Sequence, residues 1–413
     1  MLTIQKKLTN LFYVILGLPS TAMGFALSIQ IAVLSWILRT KYNLEIDQIG
    51  IVWAAGPIAG ILGQPLIGLI SDKAWFWGGR RKPFIIIGGV LAALMIFCLP
   101  NIDTINTFFG IGSLMAVAIT VALTLDLSIN ISFNPTRSII ADVTPPGQAR
   151  TKGYTWMQSV SNLFGSVAYL IGALVSNYFL IYAGVAIVLV FSIGPMFLIS
   201  EPRQLVKDEE EPGSPAGTVK TQWGQLFRLY FAHGFSWLGI QTMFIYIIAF
   251  LEQKIHPESD AQTGQMIGWS FFILNAVGSI WPAFMLEPFS KKIGRVRIHA
   301  LAVASMAAGY FGIVLFARDA LTLYLMMAVL TIGWAAVVSL PFAIMSEKVD
   351  KSRMGFFMGI FNLSVVLPQL VSSFFIGRVV QHSEDKSIVF IISGVSLALS
   401  ALLWLLVKDD SRK

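Results

Sequence analysis

A carboxylate, an amide and a guanidinium lie at helical spacing within one long apolar run. Asp126, Asn130 and Arg137 fall on one face of a straight helix, because steps of four and eleven residues return to nearly the same direction. A carboxylate inside an apolar span costs several kcal/mol and is functional by default. We therefore predict that Asp126 accepts a proton, with a fixed ion pair that braces the helix as the alternative.

The charge of Arg137 would influence that proton without direct contact. Eleven residues of straight helix span roughly 16 Å. Pro135 predicts a kink, and we expect water or substrate to bridge the gap. A conformational change that alters the water access of Asp126, or its distance from Arg137, would bind the proton on one side and release it on the other. For Arg137, the alternative is a side chain that snorkels to the cytoplasmic surface.

The chain that positions these residues is too apolar for a soluble protein. Of its 413 residues, 56% are hydrophobic and 12% charged, and the mean hydropathy is +0.74. Soluble domains carry about 25% charged residues. The single cysteine excludes a disulfide-stapled secreted protein. The net charge of +7 lies in short clusters between apolar runs, so we expect a surrounding lipid bilayer and no nucleic-acid partner.

Twelve apolar runs are each long enough to cross a bilayer, which needs about 20 residues per helix. The runs are continuous and do not alternate as barrel strands do, so we predict an all-α membrane protein with 12 transmembrane helices. The runs lie near 11–38, 48–71, 83–101, 107–141, 153–177, 179–199, 223–251, 262–286, 297–316, 320–345, 354–378 and 387–407.

Basic residues predict the orientation of these spans. Of the 29 Lys and Arg residues, 22 fall in one set of loops that includes both termini, and six fall in the opposite set. Positive loops stay inside, so we expect both termini to be cytoplasmic. We also expect a bacterial inner membrane, which the short polar ends suit. The first run is too long for a signal peptide and lacks a cleavage site, so we interpret it as the first transmembrane helix.

The spans fall into two halves that repeat each other. An acidic, Pro/Gly/Ser-rich stretch at 201–221 is typical of a flexible linker, which predicts bundles at 1–200 and 222–413. An acid, a turn, a glycine and a basic cluster follow the second span and recur after the eighth.

We predict that the charged residues of these two loops brace a cytoplasmic gate. The simpler interpretation is that the positive charges only keep the loops on the inner side. The charged residues are Asp72, Arg80, Arg81, Lys82, Glu287 and Arg295.

Three motifs in register resemble plant-type sucrose–proton symporters, of the glycoside–cation branch of the major facilitator superfamily. They are the loop signature within 56–85, the acid-to-arginine pattern within 126–142 and the Gly-x-x-Asn-Leu-x-x-x-x-Pro-Gln run at 359–369. The resemblance covers essentially the whole chain. It implies two pseudo-symmetric six-helix bundles, a substrate site at mid-membrane and a proton as coupling ion.

A sugar substrate requires paired donors and acceptors together with a flat apolar surface. Amides inside apolar spans supply the polar groups, although many such amides only bond neighbouring helices. We expect Trp237 or Phe25 to stack on the sugar ring. The amides that we predict to line the site are Asn130, Gln158, Asn162, Gln241 and Asn362.

Together these features predict proton-coupled symport of a disaccharide or glucoside of the maltose or sucrose type, by a monomer. We expect no metal, because the four histidines are scattered, no cofactor beyond the proton, and no enzymatic activity, because no nucleophile–base pair recurs in the spans. The alternatives are another small polar substrate, efflux, sodium coupling or a sensor that does not transport.

Overall fold

The computed structural model describes residues 7–61, 63, 70, 74–145, 148–203, 221–278, 286–349 and 354–408. These ranges consist of helices joined by short turns, and the one bridge in them pairs Phe76 with Gly79. The predicted all-α class is confirmed. Of the predicted linker, residues 204–220 lie outside the described residues, so its bounds stay a prediction.

The described residues form two compact units. The first comprises those of Met1–Leu44 and Ala55–Ser214, and the second those of Glu45–Ala54 and Pro215–Lys413. In the first unit the helices are α1 (Asn10–Thr40), α3 (Lys82–Cys98), α4 (Ile102–Phe109), α5 (Leu114–Val143), α6 (Gln148–Leu174) and α7 (Asn177–Leu198).

The second unit contains α2, although this helix lies early in the sequence. A π-helical turn, Leu251–Ile255, extends α8, and a second one, Ser372–Ile376, joins α13 to α14. The helices of this unit are α2 (Ile46–Trp53), α8 (Trp223–Phe250), α9 (Asp260–Gly278), α10 (Glu287–Ile293), α11 (Arg295–Phe316), α12 (Ala320–Ser346), α13 (Met354–Val371), α14 (Gly377–His382) and α15 (Ile388–Trp404).

Short polar side chains start several of these helices. Thr9, Ser113 and Ser176 each accept a hydrogen bond from the backbone N–H three residues ahead, which satisfies a group that the first turn leaves without a partner. Asp319 does the same for α12. The apolar sequence after each cap then continues the helix into the bundle.

Eight helices in the described ranges have the length and hydropathy to cross a membrane. Two apolar helical stretches are shorter: Ile46–Ile61, which includes α2, and Ile388–Trp404, which is α15. With α6 and α9 they bring the number to the twelve helices of the predicted fold. The predicted boundary between the third and fourth spans is wrong. The third helix continues through a 3₁₀ turn at Leu99–Asn101 to Phe109, where Gly110 ends it with a φ of 62°.

The same helix pairs pack within each unit. In the first unit, α1 packs on α6 and α7, and α3 packs on α5 and α7. In the second, α8 packs on α13 and α15, and α11 packs on α12 and α15. The repeat that the loop motifs predict is therefore also present in the packing.

Candidate functional site

Asp126 lies near the middle of α5 and is held by a residue from the second half of α1. The side chains are buried, at 6% exposure for Asp126 and 2% for Gln30. Gln30 Nε2 donates to Asp126 Oδ2 at 2.8 Å. Both side chains lie within apolar helices, where lipid offers no hydrogen-bond partner. The bond therefore satisfies an N–H of the Gln30 amide and an oxygen of the Asp126 carboxylate.

Asn130 and Gly56 complete the surroundings of this carboxylate. Asn130 Nδ2 donates to the backbone oxygen of Asp126 at 2.7 Å, one turn earlier on α5. A Cβ atom added at Gly56 would lie 3.4 Å from both carboxylate oxygens. Glycine at 56 thus leaves room beside the carboxylate, and no charged group in the described part of the protein forms an ion pair with it.

Arg137 and Asp126 form no ion pair among the described residues. Its guanidinium lies over the ring of Phe133, 4.1 Å from the ring centroid, and the residue is exposed. Tyr154 of α6 donates to the backbone oxygen of Arg137 at 3.2 Å. The structure therefore does not bring the predicted acid–arginine pair into contact, in agreement with the helical distance between them.

The three remaining candidates of the first unit lie on α1 and α6. Gln158 Nε2 donates to Asn162 Oδ1 at 2.8 Å, and both amides are exposed on α6. Phe25 of α1 is fully buried, with its ring centroid 6.5 Å from that of Phe164. The two amides are thus available to a ligand, whereas the face of Phe25 is covered by its neighbours.

In the second unit, Trp237 belongs to an aromatic cluster. Its indole N–H donates to His233 Nε2 at 3.0 Å, and its ring meets Trp334 edge-on at 6.2 Å. His233 in turn stacks on Phe361, with centroids 4.9 Å apart and planes at 15°. This arrangement fixes the orientation of the half-buried indole ring, which is what an aromatic surface for a sugar requires.

Two further amides lie near this cluster along the same helices. Gln369 Nε2 of α13 donates to Gln241 Oε1 of α8 at 3.1 Å. Gln241 is buried, whereas Asn362, next to Phe361, is partly exposed. Gln241 therefore already links two helices, and Asn362 is the more accessible polar group.

An apolar groove of about 390 Å³ runs along α8 and α13. Phe227, Phe231, Leu367 and Val371 line it and are exposed. Its lining offers few groups that could hydrogen-bond a sugar, so the groove does not resemble the predicted substrate site.

The basic residues predicted to form a brace in the first unit take part in an ion pair and a helix cap. Arg81 Nε donates to Asp142 Oδ2 at 3.1 Å, and the side chains are 8% and 10% exposed. The carboxylate of Glu201 accepts the backbone N–H groups of Arg80, Arg81 and Lys82 at 2.7–2.8 Å, at the start of α3. An anion at a helix N-terminus is favourable there. The predicted partner Asp72 lies outside the described residues.

The corresponding pair in the second unit joins Arg295 to Glu347, and its side chains are 26% and 40% exposed. The side chain of Glu287 lies outside the described residues. The ion pair in each unit thus links an arginine at the start of one helix to an acid at the end of another. Among the described residues no group of three metal-ligating side chains could hold a metal ion.

Sequence reasoning missed three partners in these sites. Gln30 is identifiable from the sequence only as one amide among several in apolar spans. Glu201, the first charged residue after α7, falls inside the predicted linker, and His233 is one of four scattered histidines. Each of these three residues contacts a predicted site residue. The sequence motifs identify the site residues but give no information about these partners.

Comparison with known proteins extends these observations. The profile of the Major Facilitator Superfamily matches residues 17–368. The sequence is 22% identical to sucrose transport protein SUC4 of Arabidopsis thaliana, covering 87% of this chain and 82% of that protein. It is 24% identical to sucrose transport protein SUT1 of Oryza sativa subsp. japonica, covering 86% and 79%. The resemblance inferred from the motifs is confirmed.

Solved structures match over nearly the full length. The nucleoside transporter NupG matches with a TM-score of 0.72 at 14% identity, covering 96% of this chain and 98% of that one. The inward-open xylose transporter XylE from E. coli matches with a TM-score of 0.68 at 14% identity, covering 97% of each. At these identities the matches show a shared fold.

Proposed function

The chain belongs to the major facilitator superfamily, and on that premise we propose that it couples uptake of a disaccharide or glucoside to protons by alternating access. The relatives named as sucrose transport proteins support the substrate class, with sucrose and maltose as the first candidates. The substrate, the direction of transport and the coupling ion all belong to this proposal. So do the bacterial inner membrane, the cytoplasmic termini and the monomeric state.

The observation that carries the proposal is the environment of Asp126. An acid at mid-span with one amide partner, and with no ion pair among the described residues, carries a charge that is poorly compensated when it is ionised. Such a group gains from binding a proton whenever water reaches it. A carboxylate that served only to brace α5 would be expected beside a cation.

Polar and aromatic groups in each unit support a sugar as the substrate. The exposed amides of Gln158 and Asn162 can each donate and accept hydrogen bonds in the first unit. In the second unit, Asn362 is partly exposed and Trp237 has a fixed ring orientation. These are the groups that a neutral, hydroxyl-rich ligand requires.

The proposal is tested by uptake of labelled sucrose and maltose into proteoliposomes under an inward proton gradient. We expect accumulation of at least one sugar, and a protonophore should abolish it. A sodium gradient without a proton gradient should give only equilibration. Accumulation that depends on sodium would contradict proton coupling, and absence of uptake of both sugars by folded protein would contradict the substrate class.

Trp237 provides a separate test of the sugar site. Replacement by Phe keeps an aromatic face but removes the indole N–H that donates to His233. The freed ring must then be ordered when sugar binds, at about 1 kcal/mol, so the KM for sugar should rise about fivefold, and Trp237→Ala should raise it further. The exposed Trp223 at the start of α8 is the control, since Trp223→Phe should leave KM unchanged. Equal KM values for Trp237→Ala and the unmodified protein would exclude this residue from the site.

A further inference from the structure

We propose that Gln30 is a positioning residue that serves both protonation states of Asp126 by rotating its side-chain amide. The proposal rests on the proposed function, since it takes Asp126 as the proton-binding group. It concerns a residue outside the sequence motifs, on a different helix from the acid.

The geometry around the amide is asymmetric. Gln30 Nε2 donates to Asp126 Oδ2 at 2.8 Å. Gln30 Oε1, on the other side of the same amide, is buried and has no hydrogen-bond partner among the described residues. Buried acceptors without partners are rare in folded proteins and call for an explanation. Here the acceptor belongs to the residue whose amide bonds the buried acid.

The two ends of the amide match the two states of a carboxyl group. An ionised carboxylate only accepts hydrogen bonds, and Gln30 Nε2 supplies the donor. When Asp126 takes a proton from water, an O–H bond forms on the carboxyl group, which becomes a donor. Rotation of the amide by about 180° then breaks the Nε2–H···O bond and directs Oε1 to accept the new O–H. Release of the proton to water reverses both changes.

The space around the acid also favours this response. Gly56 contributes no side chain beside the carboxylate oxygens, and Asn130 is bonded to the Asp126 backbone oxygen. No charged group in the described ranges forms an ion pair with Asp126. Titratable groups on the elements packed against α5 have other neighbours. Arg39 donates to the Leu44 oxygen, Arg150 donates to the Ala141 oxygen, and Asp103 pairs with Lys41. Tyr154 bonds the Arg137 oxygen, Tyr169 bonds Ser28, and Lys152 lies over Tyr13. Cys98 is the last residue of α3.

Infrared difference spectra between acidic and alkaline membranes test the proposal without transport. Two signals are expected: the carbonyl band of a protonated carboxyl group, and a shift of the amide carbonyl band of a glutamine as Oε1 gains a hydrogen bond. Asp126→Asn should remove both signals, and Gln30→Met should remove the amide shift. Ser28→Ala, a buried polar change two residues away on α1, should keep both.

The pH profile of sugar uptake provides the second readout. Gln30→Met removes the hydrogen bonds to both protonation states, and the charge-assisted bond to the ionised carboxylate is about twice as strong as the neutral one. The pH midpoint of uptake should therefore move higher, by up to about one unit, a tenfold change in proton affinity. Counterflow exchange should continue. Gln30→Glu, close in size to glutamine, also lacks the amide and should lose the amide shift, which keeps the test available if Gln30→Met does not fold.

The outcomes separate this proposal from the proposed function. If Asp126→Asn keeps the carboxyl band and proton-driven accumulation, Asp126 is not the proton-binding group and both proposals fall. If Asp126→Asn loses them but Gln30→Met keeps the amide shift and the pH midpoint, only the role of Gln30 is overturned.

Discussion

The carboxylate of Asp126 is surrounded by groups that tolerate both its ionised and its neutral form. Gln30 donates one hydrogen bond to the carboxylate, and Asn130 donates to the backbone oxygen of Asp126. Gly56 leaves space beside the carboxylate oxygens. An ion pair would hold the acid ionised, because separating two buried charges is costly. With a single neutral partner, a change in water access can shift the equilibrium between the ionised and neutral forms of Asp126.

The glycine beside the carboxylate gives the first prediction. A Cβ at Gly56 would make ordinary van der Waals contact with the carboxylate, so larger atoms would displace Asp126 or its water. Gly56→Val should reduce proton-driven accumulation at least tenfold at unchanged protein level. A Cβ at Gly60 meets nothing within 4 Å, so Gly60→Val is the matched control and should retain accumulation. Equal loss in both variants would contradict a specific role for position 56.

At this scale the sequence predicts the acid but not its partner. The 3.6-residue period places Asp126 and Asn130 together, because both lie on one helix. The contact with Gln30 joins positions 96 residues apart in the sequence, and helix periodicity within one span carries no information about which neighbouring helix faces it. A related limit applies to His233, four residues from Trp237, because only the side-chain directions show that the two rings are hydrogen-bonded.

Among the helices, α2 is held in the second unit by side-chain hydrogen bonds at its start and by close packing at Gly50. Its N-terminal residue Ile46 donates to Gln381 Oε1 at 3.0 Å, and Gln381 Nε2 donates to Glu45 at 2.9 Å. A Cβ at Gly50 would overlap the hydroxyl of Tyr246, which donates to the Ser372 oxygen at 2.9 Å. Only glycine at position 50 permits this packing within the second unit.

Gly50→Ala should therefore destabilise the protein by about 1–3 kcal/mol, as overpacking generally does. Combination with Tyr246→Phe, which removes the hydroxyl, should recover part of the loss, leaving the remaining contact with the Ser373 oxygen. Thermal unfolding in detergent measures both effects. Gly359→Ala, where a Cβ meets nothing within 4 Å, is the control. Strict additivity of Gly50→Ala and Tyr246→Phe would contradict this contact.

Element boundaries are the weaker part of the sequence prediction. Apolar runs give the number and order of spans, but the run that predicts the fourth helix begins at 107, inside the continuation of the third. The break depends on the left-handed conformation of Gly110, and Ser113 then caps α5. Both are local backbone features that hydropathy does not detect.

At the scale of the whole molecule, the two units repeat one brace with different burial. Arg81–Asp142 is nearly buried, whereas Arg295–Glu347 is partly exposed. The loop motifs predict the basic residue of each pair, because a basic cluster recurs at similar offsets in the two halves. They predict the acids as Asp72 and Glu287, whose side chains lie outside the described residues. Burial cannot be inferred from the motifs.

The difference in burial predicts unequal effects of matched substitutions. Asp142→Asn removes the carboxylate that compensates a buried guanidinium and should cost about 3 kcal/mol. Glu347→Gln, at an exposed pair screened by water, should cost about 1 kcal/mol or less. Thermal unfolding compares the two variants directly. A larger loss for Glu347→Gln would contradict the assignment of the buried brace to the first unit.

The central claim is that Asp126 couples a proton to sugar movement, and its most direct test compares two transport modes in one variant. Asp126→Asn keeps the size of the residue and can still hydrogen-bond Gln30, but it cannot release a proton. In proteoliposomes it should lose sugar accumulation driven by a proton gradient while retaining counterflow exchange at equal pH on both sides. Accumulation at the level of the unmodified protein would contradict the account.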